Sequence, residues 1–188
     1  RKKLELGVVV FELTDACNQA CKFCYNHFKG APGYCAPEPP DYRLAERTLK
    51  RLLGEASIAS LSLSGGEPML MPRIHDLVLK ARFAGANVNV LTNGTLLKDD
   101  DIAIFNDLGV AMIQIPILST DAATHDALTS LSGSWERATA AARKVAATRA
   151  GWLAPVLILT HQNLATIEST LELYAELGAT NILVNRLN

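Results

Sequence analysis

The chain has 188 residues, a mass of 20.3 kDa, a formal net charge of -1 and 49% hydrophobic residues, which suits one domain with a sizeable core and leaves no room for a second. No basic run follows Arg1-Lys2-Lys3, so nucleic acid is not an expected partner, and the most apolar stretch, residues 110–118, is far short of a bilayer span. No charged segment leads into an apolar stretch with a small-residue cleavage site, so neither a secretory leader nor a membrane is expected and a cytoplasmic location is.

The first strand is expected over residues 7–14, and directly after it comes CNQACKFC at residues 17–24. Cys17, Cys21 and Cys24 crowd three thiols into one short loop, 15–26. A closed structural zinc site or an ordinary electron-transfer cluster takes a full set of protein ligands, so three thiolates leave one metal position open for a further ligand. A structural metal or plain buried thiols are the alternative. Disulfides are not expected of three cysteines this close together in a large, non-secreted domain. Cys35, in the turn-rich GAPGYCAPEPP, reads as a free cysteine, with a ligand to another metal or a substrate-side thiol as the alternatives.

Asp41 is a candidate N-cap for a helix whose apolar face carries Leu44, Leu49, Leu52 and Leu53, closing at Gly54. A strand over 58–64 follows, in which Ala59, Leu61 and Leu63 alternate with Ser60, Ser62 and Ser64. Gly65 and Gly66 at its end would let backbone approach a ligand closely, and Glu67 could face an ammonium. A tight turn with an incidental carboxylate is the plainer reading. Pro72 opens a helix with Ile74, Leu77, Val78 and Ala81 on one face, ended by Gly85. The third strand, 87–92, runs into Thr92-Asn93-Gly94, which a β-turn explains as well as a ligand contact does.

Gly109 precedes a fourth strand over 110–118, where Pro116 lacks the amide that a central strand needs, so a bulge or break is expected there. His125 beside Asp126, and His161, read as structural hydrogen-bonding groups before acid–base ones. Ser134 and Asn163 are candidate N-caps, Gly151 precedes a strand over 152–160, and Ile167, Leu171 and Tyr174 share a helix face ending at Gly178. A sixth strand spans 180–187 and carries Asn185 and Arg186, either ligand contacts at the sheet's end or partners in structural pairing. Six strands alternating with helices predict parallel, right-handed βαβ units. The chain starts without methionine and stops at the sixth strand with no covering helix, as expected of an excised or trimmed domain whose parent covers that edge.

The spacing Cys-x-x-x-Cys-x-x-Cys, with aromatic Phe23 before the last cysteine, resembles the hallmark of the radical S-adenosylmethionine enzymes. Gly65-Gly66-Glu67-Pro68 is similar to that family's segment for the methionyl amino group, and TNG, HD and NR at residues 92–94, 125–126 and 185–186 extend the resemblance along the chain. The resemblance implies a partial (β/α)6 barrel over residues 1–188 and a four-iron, four-sulfide cluster on Cys17, Cys21 and Cys24. It also implies reductive cleavage of S-adenosylmethionine to a 5′-deoxyadenosyl radical that abstracts hydrogen from a substrate. Phe23 and Tyr25 would meet adenine, and Thr92, Asn93, Asn185 and Arg186 other parts of the cofactor. Many peptide-modifying members of that family carry, after the fourth strand, a Ser-Leu-Asp-Gly-like segment and an arginine soon after a His-Asp pair, for ribose and carboxylate. This chain reads PILSTD and HDALT, which lacks the arginine and leaves Ser119 as the nearby hydroxyl to substitute. The layout resembles peptide-maturing members, implying a ribosomally made peptide as substrate and an external flavodoxin- or ferredoxin-type electron donor. A small metabolite or a partner protein activated by the enzyme is the alternative substrate. A non-catalytic iron–sulfur or metal-binding electron-transfer module is the rival from another class.

Overall fold

The computed structural model describes residues 3–25 and 38–186. Six strands, β1 (Leu4–Glu12), β2 (Ala56–Ser64), β3 (Asn87–Leu91), β4 (Met112–Pro116), β5 (Leu153–Leu159) and β6 (Leu183–Arg186), pair in sequential order, all parallel. Helices α1 (Tyr42–Glu55), α2 (Ile74–Phe83), α3 (Asp99–Asp107), α4 (Ala122–Thr129), α5 (Ser134–Thr148) and α6 (Ile167–Glu176) occupy the connections, as βαβ crossovers require. One cavity draws lining residues from the β1 end of the sheet and from β6, so the sheet is curled into an open six-unit half-barrel, the fold that the sequence leads one to expect.

Strand alternation divides the chain between the two faces. Leu61 and Leu63 of β2, Val88 and Val90 of β3, and Ile113 and Ile115 of β4 are wholly buried under the helices, whose contributions include Leu49, Leu77, Val78, Phe105 and Val145. The other parity faces the concave side, where the Asn89 amide donates to the Ser60 and Ser62 hydroxyls at 3.1 and 3.3 Å. Fully burying a Leu or Ile side chain contributes about 1.5–3 kcal/mol, so this outer layer carries the fold and leaves the concave face free for polar groups.

Several local expectations change. Leu44 is exposed and Ala45, Leu49 and Leu53 form the buried stripe of α1, while Thr170, Leu173 and Tyr174 do so in α6 in place of Ile167 and Leu171. Gly54 does not end α1: the helix runs through it to Glu55 and directly into β2. Pro72 lies in the turn before α2, which begins after Arg73. Asp41 caps α1, accepting from the Arg43 and Leu44 amides at 2.8 and 3.1 Å. Ser134 is the first residue of α5, not its cap. That helix starts on the Asp126 carboxylate, which accepts from the Gly133 and Trp135 amides and the Ser134 hydroxyl. Asn163 precedes a short 3-10 turn and ties strand ends together, accepting from the Thr160 amide and donating to the Leu118 and Ile158 carbonyls.

Pro116 breaks nothing. The amides of Ile113 and Ile117 point to β5, reaching the Trp152 and Val156 carbonyls, so by alternation the missing donor of Pro116 faces β3. Pairing of β3 with β4 ends at Leu91 and Gln114, one step earlier, and the β4–β5 register continues through Pro116 and Val156 without a bulge. Pro155 obeys the same rule: its nitrogen faces β6, whose pairing begins only at Val156.

Candidate functional site

The site lies beyond the carboxyl ends of the strands, where parallel α/β sheets bind ligands. A cavity of about 600 Å³ is lined by Cys17, Cys21, Cys24 and Tyr25 from the loop after β1, and by Gly65 and Gly66 after β2. Its other walls come from Leu91, Thr92 and Asn93, from Gln114 and Pro116, from Val156 and Ile158, and from Leu183 and Asn185.

Three sets of contacts hold the cysteine loop. On one side the two glycines fit against it: a Cβ on Gly65 would stand 2.3 Å from the Thr14 carbonyl oxygen, and one on Gly66 2.2 Å from that of Ala16. With no side chain there, the Gly66 amide reaches the Thr14 carbonyl at 2.6 Å and the Glu67 amide the Ala16 carbonyl at 2.9 Å. Gly65 also has φ 129°, a conformation side chains rarely adopt. Close approach is thus required of these glycines first of all by the cysteine loop. On a second side, the Ala20 and Lys22 amides donate to the Thr129 and Leu128 carbonyls, which the end of α4 leaves without helical partners. On the third, Asn18 bonds to Asn93 and Thr95 at the end of β3, each at 2.8 Å.

Glu67 is fully buried and lies behind the cavity wall. Its carboxylate accepts the Thr92 hydroxyl at 2.6 Å, the Asn93 amide at 2.7 Å and the Met69 amide at 2.9 Å. Burial raises its pKa above the usual carboxylate range, opposed by those donors. The expectation that this side chain faces an ammonium gives way to a carboxylate that ties the β2 and β3 loops together. Thr92 and Asn93 do reach the cavity, each with one group bonded to Glu67.

The remaining expected residues divide. Tyr25 lines the cavity while largely exposed, and its hydroxyl donates to Glu12 at 2.9 Å; partial burial and then this carboxylate push its pKa up to about 12. Phe23 is half-buried and not among the lining residues. Ser119 is buried away from the cavity, its hydroxyl bonded to Thr166 at 2.8 Å and to the Asp121 amide at 3.0 Å, so it does not replace the missing polar segment. Asn185 lines the cavity and Arg186 does not: adjacent residues of β6 project to opposite faces, and both could not point inward. His125 is buried with Nδ1 accepting the Leu118 amide at 3.1 Å, and burial pushes its pKa down to about 4. It and Asp126 bond to separate partners and build structure. Cys35 lies outside the described residues. Gln19, Lys22, Gln114, Pro116, Val156, Ile158 and Leu183 also line the cavity, and Asn18 supports it, although no motif in the sequence marks them. A polar Gln114 within an apolar strand was the available signal.

The cysteines fit a cluster of several irons. Cys17, Cys21 and Cys24 all line one cavity. A four-iron cluster takes each thiolate at a different iron, and three cysteines spaced around one cavity suit that.

Comparison with known proteins gives the family. The family model described as the Radical SAM superfamily matches residues 11–174. The chain belongs to that superfamily. It is 30% identical over 175 residues to an AdoMet-dependent heme synthase of Methanosarcina barkeri, covering 92% of this chain and 48% of that protein. It is likewise 30% identical over 174 residues to a PqqA peptide cyclase of Ruegeria pomeroyi, covering 91% and 44%. The structure of Streptococcus suis SuiB bound to its precursor peptide SuiA superposes with a TM-score of 0.75 at 18% identity, over 99% of this chain and 40% of that one. The chain therefore spans less than half the length of these three proteins, the first two of which carry enzyme names. None of the described helices is long and apolar enough to cross a membrane.

Proposed function

We propose that Cys17, Cys21 and Cys24 hold a four-iron cluster, that S-adenosylmethionine occupies the cavity against Gly65, Gly66 and Asn93, and that the pair acts on a substrate held along the β4–β6 wall. The observation that carries this reading is the gathering of all three cysteines and both glycines on one cavity. When bound, the cluster and S-adenosylmethionine supply reductive carbon–sulfur cleavage followed by hydrogen abstraction.

The chain's residues prepare the cavity for that chemistry. Each cysteine must lose its proton to bind iron, and the Cys21 thiol that now donates to Gln19 Oε1 at 3.2 Å gives up that bond in doing so. Leu91, Pro116, Val156, Ile158 and Leu183 form an apolar wall that sheds water from a reactive centre. Within it Gln114 and Asn185 are the polar groups placed to hold a ribose or carboxylate, in the absence of the arginine at the HDALT segment. Electrons come from an external donor of flavodoxin or ferredoxin type. The substrate is a peptide, a reading supported by the likeness to a peptide cyclase. A small-molecule substrate is the second reading, favoured by the equal identity to a heme synthase.

The test is turnover of the cofactor. Anaerobically reconstituted, dithionite-reduced protein should release 5′-deoxyadenosine slowly from S-adenosylmethionine, and Asn185→Ala should weaken cofactor binding without loss of iron. Iron-replete, reduced protein that releases none would refute the proposal.

A further inference from the structure

Behind the first cysteine is a closed ring of side-chain hydrogen bonds. Asn18 Nδ2 donates to Thr95 Oγ1 at 2.8 Å, the Thr95 hydroxyl donates to Asn93 Oδ1 at 2.7 Å, and Asn93 Nδ2 donates to Asn18 Oδ1 at 2.8 Å. The direction of every bond follows from one backbone group. The Thr95 amide, which can only donate, meets Asn93 Oδ1 at 2.9 Å, so that atom must be the carbonyl oxygen and Nδ2 must lie on the opposite side. Asn18 then has only its oxygen to offer Asn93 and only its nitrogen to offer Thr95. Glu67 fixes the ring from below through the Asn93 amide at 2.7 Å.

Asn93 Nδ2 carries two hydrogens and the ring uses one. The other faces Cys17, whose Sγ is 4.0 Å from Nδ2 and 3.4 Å from the Gln19 amide nitrogen. Hydrogen-bond donors aimed at cluster sulfurs stabilise added negative charge and raise the reduction potential, and such outer groups tune a metal as its ligands do.

We propose that the Asn18–Asn93–Thr95 ring is a positioning device that holds the second Asn93 Nδ2 hydrogen toward the Cys17 sulfur and so raises the reduction potential of the cluster proposed above. The inference rests on that cluster assignment and adds to it a role for a turn that ordinary β-turn chemistry would otherwise explain.

The test is an anaerobic redox titration, followed by electron paramagnetic resonance, of reconstituted wild type, Asn93→Leu and Thr95→Val, without substrate. At a fixed poise the ratio of reduced to oxidised cluster should fall about tenfold in Asn93→Leu, equivalent to about 59 mV for one electron, and less in Thr95→Val, which keeps the amide and loses only its anchor. Iron-replete Asn93→Leu with the wild-type ratio overturns the proposal. Should Asn93→Leu fail to load, Thr95→Val decides alone, a lowered ratio supporting the proposal and an unchanged one overturning it. Loss of iron from both variants also overturns it, since the ring would then build the site and not tune it. Failure of wild type itself to load iron would instead refute the cluster assignment.

Discussion

Replacing Gly66 by alanine tests whether the glycine pair serves the cysteine loop. The new Cβ would stand 2.2 Å from the Ala16 carbonyl oxygen, 2.6 Å from its carbon and 2.7 Å from the Asp15 oxygen, all backbone atoms that no rotamer change can move aside. Ordinary contact begins at 3.4 Å, so the two loops must part by about 1 Å. That separation breaks or stretches the bonds from Gly66 to Thr14 and from Glu67 to Ala16. Overpacking costs about 1–3 kcal/mol and each lost backbone bond about 1 kcal/mol, so a total of roughly 3–5 kcal/mol is expected against a domain stability of about 5–15 kcal/mol. With a urea slope of about 1–3 kcal/mol per molar, the unfolding midpoint should drop by roughly 1–5 M. Iron uptake should fall with it, because the displaced residues lead directly into Cys17. Gly54→Ala is the control: that glycine sits inside α1 with nothing within 4 Å of the added carbon, and alanine there should stabilise by about 0.5–1 kcal/mol. A Gly66→Ala protein with wild-type midpoint and iron content would show that the glycines do not seat the loop.

Other consequences can be checked separately. His125 in the folded protein protonates near 4, below the 6.5 of a free imidazole, so the native state binds fewer protons and stability is lost as pH falls from 6.5 toward 4. That contribution is about 3 kcal/mol, and urea midpoints measured across this range should fall less steeply in His125→Asn, which keeps an acceptor for the Leu118 amide. Asp126→Ala should cost about 2 kcal/mol by thermal melting, because α5 loses the carboxylate that accepts its first amides. Arg186→Ala should leave S-adenosylmethionine affinity, measured by calorimetry on iron-loaded protein, unchanged where Asn185→Ala weakens it; equal effects would mean that the two do not lie on opposite faces.

The sheet was legible because its inner strands carry their own apolar alternation: Leu61 and Leu63 in β2, or Val88 and Val90 in β3, declare a buried face without any neighbour's help. The cysteine spacing was legible for a similar reason, since its information is local. What the sequence withheld is three-dimensional. NILVNR does not say which of Asn185 and Arg186 points inward, because β6 is short and its parity is set by pairing with β5. Ser119 follows β4 closely enough to look like a cavity residue, yet the chain turns there to bring its hydroxyl to Thr166. The glycine pair was found for an incomplete reason: a strand-end Gly-Gly signals close approach, and only the folded chain shows that the approaching body is the backbone at Thr14 and Ala16. Nothing local marks Asn18, whose partners stand at the end of β3.

The central claim is that three cysteines, and no fourth, hold the cluster in the cavity at the strand ends. Iron content of anaerobically reconstituted protein measures this directly across Cys17→Ala, Cys21→Ala, Cys24→Ala and Cys35→Ala. About four irons per chain are expected in wild type and in Cys35→Ala, with loss of the cluster in each of the other three. Loss of iron in Cys35→Ala, or stoichiometric zinc in place of iron in the wild type, would contradict it.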